Sequence, residues 1–259
     1  MPVVNADKGA AKVELAPPNP YGYILVTAEI EPGSVTTDIT AAEQVPLAAD
    51  ITSSSEKRAA LHRTLTELRE PVTAVEGVRS LSVFEAVLFA PSSLEKYEPR
   101  GSAGRPARFD SLLVIETDSP QASESVVRQQ GFTDLMRTLS ESGTYADYLL
   151  TENVKKIDDV DRDRDGVFLF NFFFSEAPEE LLDIWDHTAG WWLEYGKMMN
   201  SELLRPTSAC DYALINSARW EETAPAADAF RHPSYWEFVL ANIDAHGATA
   251  MPSLYRRVV

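Results

Sequence analysis

Residues 22–32 read GYILVTAEIEP, and residues 166–176 read GVFLFNFFFSE. Both stretches open with glycine and are rich in β-branched and aromatic residues, which favour a pleated strand. Polar sequence borders each stretch on both sides. The pair therefore predicts the first strand of two structural repeats, and in this alignment Thr27 and Asn171 occupy matching places.

An amphipathic helix pattern follows each of these strands. In the first half, the leucines at 61, 65 and 68 recur at helical spacing. In the second half, residues 176–200 place large apolar side chains, three tryptophans among them, at steps of three and four. Both patterns predict a helix that covers the preceding strand.

Each half then offers two strands, a second helix and a last strand. The strand candidates are residues 78–91, 109–118 and 144–154 in the first half and 201–206, 211–220 and 251–259 in the second. An offset of 103 aligns the apolar positions of the two second helices, which are Phe132, Leu135, Met136 and Leu139 against Tyr235, Phe238, Val239 and Asn242. This order is that of a ferredoxin-like βαββαβ unit. We therefore predict an α+β fold of two tandem ferredoxin-like repeats that pack sheet to sheet.

The same patterns divide the chain into four segments. We expect a flexible tail at residues 1–20, because it is rich in alanine and proline and poor in large apolar residues. The first repeat spans 21–157 and includes loop insertions near 31–55 and 92–108. An acidic linker at 158–166 leads to the second repeat at 167–259.

Composition restricts the partners. The chain has 259 residues and a formal net charge of -17, which repels phosphate backbones and anionic lipids. Its single cysteine fits a reducing compartment. Neither a signal peptide nor an apolar run of membrane-spanning length is apparent in the sequence. We expect a cytoplasmic protein whose partner is a small molecule, not a nucleic acid or a membrane.

A family resemblance rests on the second half. There, YALINSARW ends in Trp220 and is followed by a helix segment that contains Phe230, His232, Pro233 and Ser234. This arrangement resembles the antibiotic-biosynthesis monooxygenase-like branch of the dimeric α+β barrel superfamily. The first half resembles that branch in outline only, and the gap between Trp220 and His232 is slightly longer than usual. The resemblance implies an intrachain barrel of two packed sheets.

The resemblance leaves several activities open. Members include cofactor-independent oxygenases of polycyclic aromatic substrates, haem-degrading enzymes and small isomerases. The haem-degrading members use an Asn on the first strand with a Trp and a His on the second helix. Asn171 matches the Asn, but the other two places hold Arg231 or His232 and Ala241 or Asn242. Haem degradation is therefore not favoured, and we expect no cofactor.

Asn171 is the first candidate site residue. It interrupts a run of apolar residues, and burying an amide without partners costs about 1–3 kcal/mol. A ligand carbonyl or an enolate oxygen would satisfy it. A backbone partner or a surface-facing position would also do so, and the sequence leaves both readings open.

The other candidates lie around the second-half helices. Histidine is the residue type whose charge changes near neutral pH, so His232 and His187 could accept or donate a proton. The apolar walls of a substrate pocket would come from Trp191, Tyr195, Trp220 and Phe173. All five tryptophans lie after residue 180, which favours a pocket in this half. Each of these residues could equally serve as ordinary core or boundary packing.

One motif suggests a metal, but incompletely. Asp161, Asp163 and Asp165 precede Gly166 as in the first half of a calcium-binding loop, yet the twelfth position is Phe172 instead of glutamate. Adjacent arginines offset the charge. We therefore predict a solvated linker without a metal.

Three functional hypotheses follow. The first is an enzyme resembling cofactor-independent monooxygenases, in which Asn171 stabilises the enolate of an aromatic or conjugated substrate and His232 or His187 takes its proton. The alternative is a non-catalytic binder of the same fold. A purely structural role would leave no enclosed pocket. A monomer should suffice for the barrel, although a homodimer is compatible with the sequence.

Overall fold

The computed structural model describes residues 2–31, 55–90 and 105–259, so most of both predicted loop insertions lies outside the described residues. The first half contains β1 (Gly22–Glu29), α1 (Glu56–Thr73), β2 (Val78–Phe89), β3 (Ser111–Thr117), α2 (Pro120–Val126), α3 (Gln130–Ser142) and β4 (Tyr145–Asp158). Residues 159–166 link it to the second half.

The second half repeats this order with one change in its helices. It contains β5 (Val167–Ser175), α4 (Pro178–Tyr195), β6 (Ser201–Pro206), β7 (Leu214–Trp220), α5 (Thr223–Arg231), a π-helix (Tyr235–Leu240), α6 (Ala241–Ala245) and β8 (Ala248–Arg257). The segment that aligns with α3 therefore begins as a π-helix and ends as a short α-helix. Single π-helical turns are rare and occur often at functional sites.

The strands of both halves form one closed antiparallel barrel. Their order around the ring is β1-β3-β2-β8-β5-β7-β6-β4. Two seams join the halves, because β2 pairs with β8 and β4 pairs with β6. The prediction of two βαββαβ repeats packed sheet to sheet in one chain is confirmed.

Strand alternation separates the barrel interior from the helix-facing layers. On β5, Phe168, Phe170, Phe172 and Phe174 fill the interior, where Phe84 and Tyr255 meet them. The opposite faces of the strands carry two further clusters, one under the helices of each half. The helix-facing side of β5 is the side that forms the candidate site.

One predicted correspondence between the halves is wrong. Thr27 does not match Asn171, because Thr27 shares the interior-facing phase of β1 with Tyr23 and Leu25, whereas Asn171 lies on the helix-facing side of β5. Counted from the paired strand ends, the equivalent of Asn171 is Val26. Gly22 belongs to β1 but Gly166 precedes β5, and a shift of one residue moves a side chain to the other face.

Local signals account for the starts of the two long helices. The Ser55 side chain accepts a hydrogen bond from the backbone N–H of Arg58 and caps α1. Pro178 begins α4, where Glu179 and Glu180 in the first turn favour the positive end of the helix dipole. Among the described residues, no helix is long and apolar enough to cross a membrane.

Residues 2–20 have a defined course along the second half. The Asn242 side chain bonds both the N–H and the carbonyl of Val4 at 2.8 Å, and the Val13 N–H donates to the Asp186 carbonyl. Gly190 lets the chain pass closely, because a Cβ there would overlap the Ala11 carbonyl oxygen. Polar contacts thus position a segment in which large apolar residues are few. Whether the segment is flexible in solution stays a prediction.

Candidate functional site

A small cavity lies between the sheet of the second half and the helices that cover it. Its volume is about 20 Å³, which is room for about one water molecule. Strands β5, β6, β7 and β8 form its floor, and α4, the π-helix and α6 form its roof. Most of the lining is apolar, including Phe173, Trp185, Trp192, Met198, Leu240 and Ile243.

Asn171 supplies a polar group to this apolar floor. Its neighbours on the same face of β5, Leu169 and Phe173, also line the cavity. The Asn171 Oδ1 atom is buried and has no hydrogen-bond partner among the described residues. An unsatisfied buried amide oxygen costs about 1–3 kcal/mol, so the position calls for a donor that enters the cavity.

A second asparagine lies directly opposite. Asn216 on β7 pairs with Asn171 in the strand register and lines the same cavity. The Ser201 hydroxyl on β6 lies 2.7 Å from Asn216 Oδ1 and 3.3 Å from the Ser217 carbonyl oxygen. The cavity floor therefore carries three polar side chains from three adjacent strands.

The first half shows what the fold itself requires at these places. The Val26–Leu113 pair is the counterpart of Asn171–Asn216, and Leu81 is the counterpart of Ser201. These three counterparts belong to the apolar cluster under the first-half helices. The polar floor is thus specific to the second half, since the fold forms in the first half with apolar residues at these positions.

Tyr235 at the start of the π-helix closes one side of the cavity. The residue is buried, and burial raises the pKa of its phenol far above the ordinary value. Its ring packs against Trp192 and Phe230. Tyr235 therefore stays a neutral phenol within an aromatic wall.

His232 lies outside the cavity, in a cluster behind that wall. Its Nδ1 lies 2.8 Å from Ser234 Oγ, and Ser234 Oγ accepts a hydrogen bond of 2.8 Å from Trp191 Nε1. The His232 ring also packs on Tyr195 with a centroid separation of 4.7 Å. The structure therefore brings together three of the sequence candidates, Trp191, Tyr195 and His232, but not at the cavity beside Asn171.

His187 lies on another side of α4. Burial lowers its pKa, and Lys12 lowers it further while Asp186 opposes both effects. Lys12 of the N-terminal segment forms an ion pair with Asp186 at 3.0 Å. His187 therefore belongs to the contact between α4 and that segment and not to the cavity lining.

The remaining two candidates differ in their placement. Phe173 lines the cavity. Trp220 supports it from behind, since its ring contacts Trp192 and its Nε1 donates to the Gly196 carbonyl at 2.7 Å. Five further residues line the cavity although the sequence did not mark them as site residues: Trp185, Trp192, Asn216, Ser201 and Tyr235. Asn216 carried the same signal as Asn171, a polar residue in an apolar strand.

Neither a metal nor a haem fits the described site. Among the described residues, no cluster of three histidines, cysteines or carboxylates could hold a metal ion. Met198 and Tyr235 are cavity-lining residues of types that can ligate haem iron, but burial raises the pKa of the Tyr235 phenol and opposes the phenolate that iron would need. Asp163 and Asp165 of the linker lie 4.0 Å and 3.9 Å from the Arg257 guanidinium, so a cation of the protein itself faces both carboxylates.

The architecture defines the class as a dimeric α+β barrel closed within one chain. Solved structures share this fold at low sequence identity. An anthrone oxidase-like protein superposes with a TM-score of 0.59 and 13% identity, over 92% of this chain and 91% of that one.

Two further structures extend the comparison. A protein from Fusobacterium nucleatum, named provisionally as a monooxygenase, gives a TM-score of 0.55 and 9% identity over 92% of this chain and 93% of that one. A mutant chlorite dismutase from Candidatus Nitrospira defluvii gives a TM-score of 0.50 and 9% identity, over 93% of this chain and 92% of that one. Neither a family model nor a curated protein matches the sequence. These likenesses show the fold alone.

Proposed function

We propose that this protein binds a small aromatic or conjugated molecule in the cavity beside Asn171 and oxygenates it with dioxygen, without a cofactor. The observation that carries the proposal is the unpaired Asn171 oxygen, buried in an apolar cavity and opposite a second amide. An amide in this setting can donate to an enolate oxygen through Nδ2 and accept from a ligand hydroxyl through Oδ1.

The chemistry follows from that contact. A CH₂ group conjugated with a carbonyl loses a proton to give an enolate, whose negative charge the amide N–H groups of Asn171 and Asn216 stabilise. Dioxygen combines with the carbanion to form a hydroperoxide, and loss of water leaves a carbonyl group. One CH₂ group and one O₂ thus give one C=O group and one water. The fold shared with an anthrone oxidase-like protein and a provisional monooxygenase supports this reaction class.

The cavity must widen to admit such a ligand, because about 20 Å³ cannot hold an aromatic ring. Trp192 and Leu240 are 8% and 9% exposed, more than any other roof residue of α4 and the π-helix. Their displacement would open a path to Asn171. Trp185 would then remain as an aromatic wall.

A non-catalytic binder is the second candidate, and a different observation favours it. Among the described residues that line the cavity, none is a histidine, a carboxylate or a lysine. A ligand bound there would meet no general base unless it reached His232 behind the aromatic wall. Only a substrate acidic enough to ionise in water would react without one.

One experiment separates the two candidates. Anthrone, a tricyclic aromatic ketone with a reactive CH₂ group, is titrated while tryptophan fluorescence and dioxygen consumption are followed. We expect quenching together with protein-dependent oxygen uptake. Asn171→Leu should abolish both effects, and His232→Gln should reduce uptake without changing the quenching.

The matched control is Val26→Leu, which places the same side chain at the equivalent position of the first half. It should behave like the wild type. Quenching without oxygen uptake would support the binder. The absence of any saturable quenching, or equal quenching by Asn171→Leu, would refute the site itself.

A further inference from the structure

The side-chain amides of Asn171 and Asn216 differ in whether their oxygen atoms are already hydrogen-bonded. Directly opposite residues on one face of an antiparallel pair have Cβ atoms about 4.5–5.5 Å apart, so both carboxamides can reach one ligand group. Asn171 Oδ1 has no partner among the described residues. Asn216 Oδ1, by contrast, is held by Ser201.

The Ser201 contact fixes the orientation of Asn216. A serine hydroxyl has one proton, and of its two acceptors Asn216 Oδ1 lies at 2.7 Å and the Ser217 carbonyl oxygen at 3.3 Å, so Asn216 Oδ1 takes the bond. Ser201 is fully buried, so water cannot easily take over its role. With Oδ1 occupied, Asn216 presents its NH₂ group to the cavity. Asn171 presents the opposite polarity, an acceptor.

The chemical environment narrows the ligand group further. The polar lining consists of amides and hydroxyls, and the described lining residues carry no charge. A charged ligand group buried there would lose its hydration without a counter-charge, which is costly. The group that binds, before any proton is lost, is therefore neutral.

We infer that Asn171 and Asn216 form a paired-amide clamp for a neutral ligand edge that carries a hydrogen-bond donor beside an acceptor, and that Ser201 is its positioning residue. A lactam or a conjugated hydroxy-ketone has such an edge. The ligand acceptor faces Asn216 Nδ2, and the ligand donor faces Asn171 Oδ1. This inference rests on the proposed function, because it takes the same cavity as the ligand site.

The test compares two probes that differ in the donor alone. 2-Quinolone carries N–H beside C=O on a flat aromatic frame, and N-methyl-2-quinolone lacks the N–H. Isothermal titration calorimetry on the full chain should show that the wild type prefers 2-quinolone by about tenfold or more, since a site built to hydrogen-bond a donor rejects the analogue that lacks it.

Variants of the clamp then test its parts. Asn171→Leu removes the acceptor for the probe N–H, so the preference should fall to about twofold. Ser201→Ala frees Asn216 to rotate away from the C=O group that both probes share, so both quinolones should bind about fivefold or more weakly. Asn216→Leu copies the first-half residue Leu113 and should have the same effect, whereas Ser201→Thr keeps the hydroxyl and should restore the affinity. Ser82→Ala, which removes a buried hydroxyl from β2 in the first half, is the matched control and should leave affinity and preference unchanged.

The outcomes distinguish this inference from the proposed function. If the wild type binds anthrone but shows no preference between the quinolones, the clamp is refuted and the cavity remains a binding site. An unchanged affinity in both Ser201→Ala and Asn216→Leu, or an unchanged preference in Asn171→Leu, refutes the clamp as well. If neither anthrone nor a quinolone binds, the proposed function fails and the clamp fails with it.

Discussion

Arg162 Nη2 donates to Glu202 Oε2 at 2.5 Å, and both side chains are buried. The contact joins the linker between the halves to strand β6 of the second half. Ser217 Oγ accepts a second bond from Arg162, and Glu202 Oε1 accepts from the Val160 N–H. A linker that is acidic in sequence thus places one cation inside the barrel.

This ion pair should matter to stability far more than the surface pairs do. Glu202→Leu leaves Arg162 buried without its carboxylate and should lower the free energy of unfolding by about 3–5 kcal/mol. Glu179→Gln removes the exposed partner of Arg205 and should cost less than about 1 kcal/mol. Urea unfolding measures both. Equal losses in the free energy of unfolding would show that the buried pair contributes no more to stability than the surface pair.

Acid should weaken the fold through His62. Burial lowers its pKa from 6.5, the Arg58 guanidinium lowers it further, and its Nε2 has no hydrogen-bond partner among the described residues. A folded-state pKa below the unfolded value means that the unfolded chain binds the extra proton, so stability falls as pH drops through about 6.5. His62→Gln should therefore lose less melting temperature than the wild type between pH 7.5 and pH 5.5. Parallel losses would contradict this assignment.

Calcium should not stabilise the protein. Asp161 Oδ1 accepts the Asp163 N–H, and Asp163 lies near both Arg69 and Arg257. A ligand that binds only the folded state must raise its melting temperature. Millimolar calcium should therefore leave the melting curve unchanged, as should magnesium in a parallel control. A rise of several degrees with calcium alone would argue for a metal loop.

A single chain should close the barrel. Glu152 and Arg205 face each other across the β4–β6 seam. In a Cys210→Ser background, Glu152→Cys combined with Arg205→Cys should oxidise to an intramolecular disulfide. Non-reducing electrophoresis and light scattering should then show one chain. A disulfide-linked dimer would mean that the halves of different chains pair.

The sequence was sufficient for the architecture because the architecture depends on local patterns. The two strand-like runs, the helices after them and the 103-residue offset all survive in the structure, and the offset also relates Leu113 to Asn216. The facing of a strand is harder to predict. Aligning Gly22 with Gly166 was wrong by one residue. That error made Thr27, instead of Val26, the first-half equivalent of Asn171.

The candidate site was only partly predictable for a related reason. Helix α4 has neighbours on two sides, the sheet and the N-terminal segment. Most of its apolar positions are therefore buried, and spacing cannot separate Trp191 from Trp192. Trp191 faces Ser234, while Trp192 lines the cavity. The Ser201–Asn216 bond and the Arg162–Glu202 pair join distant residues, and no local pattern marks them.

The closed ring also has a consequence for solubility. Every strand of the barrel pairs on both sides, so in the described part of the chain the barrel leaves no strand edge open to another molecule. Separating the halves would expose four such edges, those of β2, β4, β6 and β8. Either half on its own would then offer two unpaired strands as templates for aggregation. Each half thus covers the strand edges of the other. Because the linker joins the two halves, the effective concentration of each half around the other does not depend on the protein concentration.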